Sequence, residues 1–182
     1  MHRHVAALVL LASCTATIRI SRDELQADLA KQFPREVDKH VVTIRASDPR
    51  LEFPGTGLVA VRLRVEATSA TGNSHLTGDV RAAGRIEYVA AEHAFYLRDP
   101  KVTELVFDPA EGPGHLSRAM NHATSTFGTK LVERAARSGI EELLRRNPIY
   151  RLDPGRKKDA KAMRHLKSVH VEGQDLVLEV AL

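Results

Sequence analysis

Two long segments of alternating apolar and polar residues in the middle of the chain constrain its fold most. The apolar side of the first segment carries Val59, Val61, Leu63, Val65 and Ala67. The matching side of the second carries Leu76, Gly78, Val80, Ala82, Gly84, Ile86 and Tyr88. Successive side chains of a β-strand point to opposite faces, so this alternation predicts two strands of more than ten residues, with one face buried. Strands of such length, where about five or six residues are usual, indicate a large curved antiparallel sheet with its other face in water.

A long amphipathic helix is predicted downstream of these strands. Residues 94–97 and 102–107 are interpreted as two further strands separated at Asp99-Pro100, and a helix is predicted from about residue 115 to residue 147. Its apolar positions recur at helical spacing: Leu116, Met120, Ala123, Phe127, Leu131 and Ala135. About 30 residues at ~1.5 Å each span roughly 45 Å, a length comparable with that of the strands. Gly139 interrupts the apolar pattern, which predicts a bend there.

Shorter elements are predicted on both sides of this central region. Ser21 followed by Glu24 is a capping-box arrangement, which predicts a helix that Pro34 stops. Asp48-Pro49 is interpreted as part of a loop that follows a strand. The other short elements are an edge strand at residues 15–20, strands at 41–44 and 149–152, a basic helix at 157–166, and a hairpin of residues 168–171 and 176–180. Together the pattern predicts an α+β fold.

The N-terminus resembles a bacterial export signal. Basic residues precede an apolar run over residues 5–12, which is far too short to span a membrane. Leu11-Ala12-Ser13-Cys14 resembles the lipobox of bacterial lipoproteins, which implies removal of a signal peptide over residues 1–13, acylation of Cys14 and a single mature domain over residues 14–182. Thr15 after the cysteine, in place of aspartate, implies the periplasmic face of the outer membrane. The alternative is a chance cysteine in an ordinary cleaved signal or at a buried start of the fold.

Four further motifs resemble those of the YceB-like lipoproteins of Gram-negative bacteria. That family is classified as a domain of unknown function. In chain order they are Ile20-Ser21-Arg22-Asp23-Glu24-Leu25, Leu76-Thr77-Gly78-Asp79, Phe95-Tyr96-Leu97-Arg98-Asp99 and Asn147-Pro148-Ile149-Tyr150-Arg151-Leu152. The resemblance spans residues 18–182. It implies a long, strongly curved antiparallel sheet wrapped around one long helix, with a short N-terminal helix and a C-terminal helix plus hairpin. This architecture is similar to that of the tubular lipid-binding (TULIP-like) proteins, which hold lipids between sheet and helix.

The inward residues of sheet and helix are the candidate lining of such a lipid groove. Small residues such as Gly78 and Gly84 alternate there with bulky ones, and glycine also permits sharp strand curvature. These small residues either leave room for a ligand or let the helix pack closely in a filled core. The candidate groove residues are Val61, Leu63, Val65, Val80, Ala82, Gly84, Ile86, Phe95, Phe107, Met120, Phe127 and Leu131.

These observations predict an anchored protein that binds a lipid or another long apolar ligand between sheet and helix. The alternative is a structural or adaptor lipoprotein whose packed core supports a surface that docks another envelope protein. Its protein partner is not indicated by the sequence. In both cases the membrane is contacted through the lipid at Cys14.

No arrangement of catalytic or metal-binding residues stands out. Gly55-Thr56-Gly57 leads into a strand, whereas a dinucleotide-binding glycine motif opens a helix. His115 and His122 are two helical turns apart without nearby carboxylates, so they do not predict a metal site. Cys14 is the only cysteine of the chain, and acylation would use its thiol. We predict no catalytic residue, no enzymatic activity, no metal and no cofactor.

The densest basic segment is residues 156–158 together with Lys161, Arg164 and Lys167. The formal net charge of only +4 does not require nucleic acid, and because the predicted location is outside the cytoplasm, we predict no nucleic-acid partner. The basic segment is interpreted as the solvated face of a short helix. The alternative is contact with anionic lipid head groups, where each basic residue contributes about 1 kcal/mol.

Overall fold

The described strands are all antiparallel and fall into two sheets. The computed structural model describes residues 15–40, 42–55, 57–69, 75–108 and 122–181. The elements are β1 (Thr15–Ile20), α1 (Arg22–Ala30), β2 (Arg35–Asp38), β3 (Val42–Gly55), β4 (Leu58–Ser69), β5 (His75–Val89), β6 (Ala94–Phe107), α2 (His122–Arg146), β7 (Tyr150–Arg151), α3 (Lys157–His165), β8 (Leu166–Glu172) and β9 (Asp175–Ala181). The strand order is β2-β3-β4-β5-β6-β7 in the large sheet and β1-β9-β8 in the small sheet. The predicted α+β fold with antiparallel sheets is confirmed.

The two long alternating segments are neighbouring strands of the large sheet. β4 has 12 residues and β5 has 15. Val61 lies opposite Ala82, and Leu63 lies opposite Val80, so the two predicted apolar faces coincide. The turn predicted between them, at residues 70–73, lies outside the described residues.

Two Asp-Pro pairs lie inside strands, whereas the sequence predicts one of them in a loop and the other between two strands. Asp48-Pro49 belongs to β3 and Asp99-Pro100 to β6, and both aspartates have positive φ angles, of 48° and 45°. The pairing register shifts at both places, which identifies two β-bulges. Proline cannot donate a backbone hydrogen bond, so strands tolerate it at edges and bulges. β2 pairs only with residues 43–46 and β7 only with residues 94–95, so each proline lies where its strand is an edge.

Helix side chains bind the exposed backbone at both edges of the large sheet. On β3, the Gln26 side chain of α1 accepts the Leu51 N–H at 2.7 Å. On β6, the Glu141 carboxylate of α2 accepts the Val102 N–H at 3.1 Å, and Arg137 donates to Val102 O at 3.2 Å. These contacts satisfy backbone groups that another chain could otherwise pair with.

The N-terminal helix begins as its capping residues predict. Ser21 precedes α1, and its Oγ accepts the Glu24 N–H at 3.3 Å. Leu25 and Leu29 form the buried face of the helix. The short elements predicted around β1, β7, α3 and the β8–β9 hairpin are also confirmed.

The long helix contacts strands near both edges of the large sheet. α2 is continuous through Gly139, and the predicted residues 115–121 of this helix lie outside the described residues. A Cβ on Gly139 would lie 2.7 Å from Ile44 Cδ1 and 3.0 Å from Val37 Cγ1, so this glycine permits close packing on β2 and β3. Two residues later, Glu141 contacts β6. No helix in the described part of the chain has the length and apolar character needed to cross a membrane.

The hydrophobic core extends over both sheets and all three helices. Leu63 of β4, Leu25 of α1, Ile140 of α2, Ala162 of α3 and Leu178 of β9 are each at most 1% exposed and belong to one cluster. The inner face of the large sheet is therefore the side on which the helices and the small sheet pack.

Candidate functional site

Half of the predicted groove residues lie in a closed core. They are Val61, Leu63, Val65, Val80, Ala82 and Phe95, each at most 1% exposed. Their neighbours are apolar side chains of the same cluster. Solvent does not reach this part of the inner face, so a ligand could enter it only if side chains moved apart.

Strand β6 covers the small residues of β5. A Cβ on Gly78 would lie 2.8 Å from Phe107 Cα and closer still to Val106 O. A Cβ on Gly84 would lie 2.7 Å from Arg98 O. Real Cβ atoms essentially never come within 3.0 Å of other heavy atoms. The space beside these glycines is therefore filled by the β6 backbone, and neither the long helix nor an open groove occupies it.

Apart from Gly84, which is buried, the other predicted groove residues are less buried or lie outside the described residues or side chains. Ile86 and Phe107 are partly buried against the core, whereas Leu131 is 45% exposed. The predicted site residues that lie outside the described residues or side chains are Cys14, Met120 and Phe127.

Helix α2 and strand β6 run antiparallel to each other. Just after the helix, the Ile149 N–H donates to Phe95 O at 2.7 Å, whereas Arg137 and Glu141, earlier in the chain, both contact Val102, which is later in the strand. Six residues of a helix and three residues of a strand both span about 9 to 10 Å. Residues that precede Arg137 in the helix therefore lie beside residues that follow Val102 in the strand.

This direction puts Leu131 level with Leu105. Leu105, Phe107 and Val132 are only partly buried, and Leu131 is one of two exposed large apolar residues in the described part of the chain. We refer to the region around Leu105 and Phe107 of β6, together with the turn of α2 that carries Leu131 and Val132, as the β6–α2 interface; Leu131 lies about 120° around the helix from Arg137, at its exposed side. Of the parts of the predicted groove that the structure describes, the core covers this one least.

The outer face of the large sheet carries an ion-pair network. Arg62 and Arg81 share Glu52, at 3.3 Å and 2.6 Å, and Arg64 pairs with Asp108. The hydrogen bond from Arg81, with that from Arg62, holds the pKa of Glu52 below its usual value. Among the described residues, no three His, Cys, Asp or Glu side chains are arranged to hold a metal ion.

A polar surface cleft lies between the end of α1 and the bulge of β3. Its volume is about 580 Å³. Its lining includes Gln26, Phe33, Arg45, Arg50 and Glu66. Because side chains of both charges line this open cleft, it does not suit a long apolar ligand.

Sequence reasoning missed a hydrogen-bonded network that joins α1, β7 and α3. Tyr150 Oη lies 3.0 Å from Glu24 Oε1 and 3.1 Å from Asp159 Oδ2. Glu24 also accepts from Lys158 at 2.6 Å and from Arg156. Burial, together with the bond to Glu24, raises the pKa of Tyr150. The phenol therefore keeps its proton and donates it in a hydrogen bond.

Asp159 is the buried member of this network. Its side chain is fully buried, and Oδ2 also accepts the Asp153 N–H at 3.1 Å. Oδ1 has no hydrogen-bond partner in the described structure. The only sequence signal was Asp159 itself, the single acidic residue inside the basic segment.

A comparison with protein families places the chain in one of them. The family model described as "Protein of unknown function (DUF1439)" matches residues 20–174. The chain belongs to the DUF1439 family. The DUF1439 match begins at the last residue of β1 and ends between β8 and β9, so it covers the large sheet and all three helices. A search of curated proteins found no match.

The lowered pKa values of two carboxylates in this DUF1439 protein predict a loss of stability in acid. Burial alone would raise the pKa of Glu24, but hydrogen bonds from Lys158 and Tyr150 lower it overall, and the pKa of Glu52 is also lowered. A lowered folded-state pKa gives stabilisation that is complete above the unfolded value and is lost as the pH falls through the folded value. The ordinary value is 4.5 for both groups.

We therefore expect the free energy of unfolding to fall as the pH is lowered from about 5 to about 3. Urea denaturation across this range measures it. Glu52→Gln should reduce the pH dependence, whereas Glu36→Gln, at an exposed residue without a described ion pair, should leave it unchanged. Equal pH dependence in wild type and Glu52→Gln would contradict the assignment.

Proposed function

We propose that this protein is a lipid-anchored periplasmic protein of the outer membrane that holds a lipid or another long apolar ligand at the β6–α2 interface. The observation that carries the proposal is the uneven burial of the predicted groove residues. Val80 is 1% exposed and Leu131 is 45% exposed, while Leu105 and Phe107 are only partly covered. Apolar surface that the core leaves uncovered is a typical place for an apolar ligand. The proposed function is not enzymatic.

The proposal includes a YceB-like, TULIP-like architecture in which the large sheet wraps around α2. Gly139 of α2 packs against Ile44 of β3, and Glu141 binds Val102 of β6. β3 and β6 are separated by two strands in the sheet. A sheet that contacts one helix through both of these strands has to curve towards it, which supports the proposed architecture.

Anchoring through Cys14 is the second part of the proposal. β1 begins at Thr15, so a lipid on Cys14 would hold the folded part next to the bilayer. Each buried CH₂ contributes about 0.8 kcal/mol, so two or more acyl chains anchor a protein stably. Palmitate labelling of cells tests this: wild type should be labelled and Cys14→Ser should not. An unlabelled wild-type protein would exclude the anchor.

The ligand is tested by organic extraction of the purified mature protein followed by mass spectrometry. We expect an apolar molecule to copurify with wild type and to be lost from Leu131→Asp, because a charge in the β6–α2 interface opposes an apolar ligand. Val106→Asp is the matched control. Val106 is 57% exposed on β6, but it lies opposite Asp79, on the outer face of the sheet and away from the proposed ligand. If the wild-type protein carried no ligand, or if both variants lost the ligand equally, the proposed site would be rejected.

A second candidate function, that of an adaptor, is favoured by the closed core. Val61, Leu63 and Val65 are fully buried, which suits a rigid body that presents its surface to another envelope protein. Cross-linking in intact cells distinguishes the two functions. Capture of one envelope protein with equal yield from wild type and Leu131→Asp would favour the adaptor.

A further inference from the structure

The basic segment around α3 divides into paired and unpaired cations. Arg156 and Lys158 both pair with Glu24. The remaining four, for which the described residues provide no ion pair, are Lys157, Lys161, Arg164 and Lys167. Lys157, Lys161 and Arg164 are spaced four and three residues apart, which puts them on one face of the helix. We refer to these three residues as the α3 stripe.

The small sheet brings this stripe close to the start of the described chain. Val180 of β9 lies opposite Ala16 of β1 on one side and opposite Leu166 of β8 on the other. Neighbouring strands are about 4.8 Å apart, so Leu166 is about 10 Å from Ala16. α3 ends at His165, directly before Leu166. At about 1.5 Å per residue, the whole stripe lies within about 25 Å of Ala16.

The acidic residues of α3 and of the small sheet have other described partners. Glu172 pairs with Arg19 at 2.8 Å, and Glu179 accepts a hydrogen bond from Ser168 at 2.7 Å. Asp159, inside α3 itself, is buried. Lys157 and Arg164 are exposed, so their charges remain available to an external anion.

We infer that the α3 stripe docks on anionic phospholipid of the membrane in which Cys14 is anchored. The inference rests on the anchor proposed above, because Ala16 is two residues from Cys14. The anchor brings the stripe to the bilayer surface, and the three cations attract acidic head groups. The stripe thereby sets which side of the folded part faces the membrane.

The test uses the mature lipoprotein reconstituted into vesicles of phosphatidylcholine, with or without phosphatidylglycerol. A membrane-impermeant amine reagent and mass spectrometry report how readily each lysine is labelled, with Lys101 of the large sheet, 74% exposed, as reference. We expect labelling of Lys157, Lys161 and Lys167 to fall several-fold in the anionic vesicles. High salt should restore it, since the Debye length shrinks to about 3 Å at about 1 M salt.

Two triple variants isolate the contribution of the stripe. In Lys157→Gln/Lys161→Gln/Arg164→Gln, Lys167 remains as reporter. Each cation near an anionic surface contributes a factor of about five, so removing three should weaken docking about a hundredfold and abolish protection of Lys167. The matched control neutralises three exposed arginines of the large sheet that have no described ion pair, Arg45, Arg50 and Arg85, and should keep the protection.

The outcomes separate the stripe from the anchor. Equal labelling in neutral and anionic vesicles, or equal loss of protection in both triple variants, overturns docking by the stripe while leaving the anchor intact. Protection that appears only when an acidic envelope protein is added also overturns it. A purified protein that does not enter vesicles refutes the anchor, and the inference with it.

Discussion

Val80→Asp should remove a large part of the protein's stability at neutral pH. Val80 is 1% exposed on the inner face of β5, opposite Leu63 and Leu105. An unpaired charge in such a position costs about 4 kcal/mol or more, and the whole stability of a domain is only about 5 to 15 kcal/mol. Far-UV circular dichroism, thermal melting and protease resistance measure the result.

Leu131→Asp is the matched control for this substitution. Both residues are predicted groove residues, but Leu131 is 45% exposed, so its aspartate stays hydrated and the melting temperature should stay close to that of wild type. A Val80→Asp protein that melts like wild type would mean that water reaches Val80. The inner face would then be hollow at that point, and the ligand site would extend deep into the sheet.

Alanine at Gly78 or Gly84 should destabilise the protein by about 3 kcal/mol, the upper end of ordinary overpacking costs. The added Cβ would clash with the backbone of β6, at Val106 and Phe107 for Gly78 and at Arg98 for Gly84. A backbone obstacle cannot rotate away as a flexible side chain can. β6 would therefore have to separate from β5, with loss of pairing between the two strands. Urea denaturation of each variant measures the change.

Gly173→Ala provides the comparison for the glycine variants. Gly173 has a φ of 63° and nothing within 4 Å of an added Cβ, so only the backbone conformation opposes alanine, at a cost of about 1 kcal/mol. If Gly78→Ala were no more harmful than Gly173→Ala, the close approach of β6 would not be a constraint on the fold.

The sequence predicted elements whose signal is local. Alternation identified β4 and β5, and the Ser21–Glu24 capping arrangement identified the start of α1. The same local rules failed at Asp48-Pro49 and Asp99-Pro100. A proline is compatible with a strand only where no neighbour needs its N–H, and which strands are edges is decided by pairing over the whole chain.

The candidate site was predictable only in part, for the same reason. Helical and strand periodicity gave the inward faces of β4 and β5, but it could not distinguish Val80, which is closed off, from Leu131, which is exposed. The closure of Gly78 and Gly84 depends on β6, which follows β5 in the sequence and pairs with it. The network around Tyr150 joins residues 126 positions apart, and no motif spans such a distance.

The pairing of the small sheet has a consequence for the order in which the molecule can form. β9, the last described strand, is its central strand, and β1 pairs with β9 along Thr15–Ile20. Among the described elements β1 comes first and β9 last, so β1 stays without its partner until the other described elements have emerged. The large sheet can assemble from local pairings, since its long strands are neighbours in the chain. The small sheet can close only once β9 is available, which leaves the edge of β1 unpaired until then.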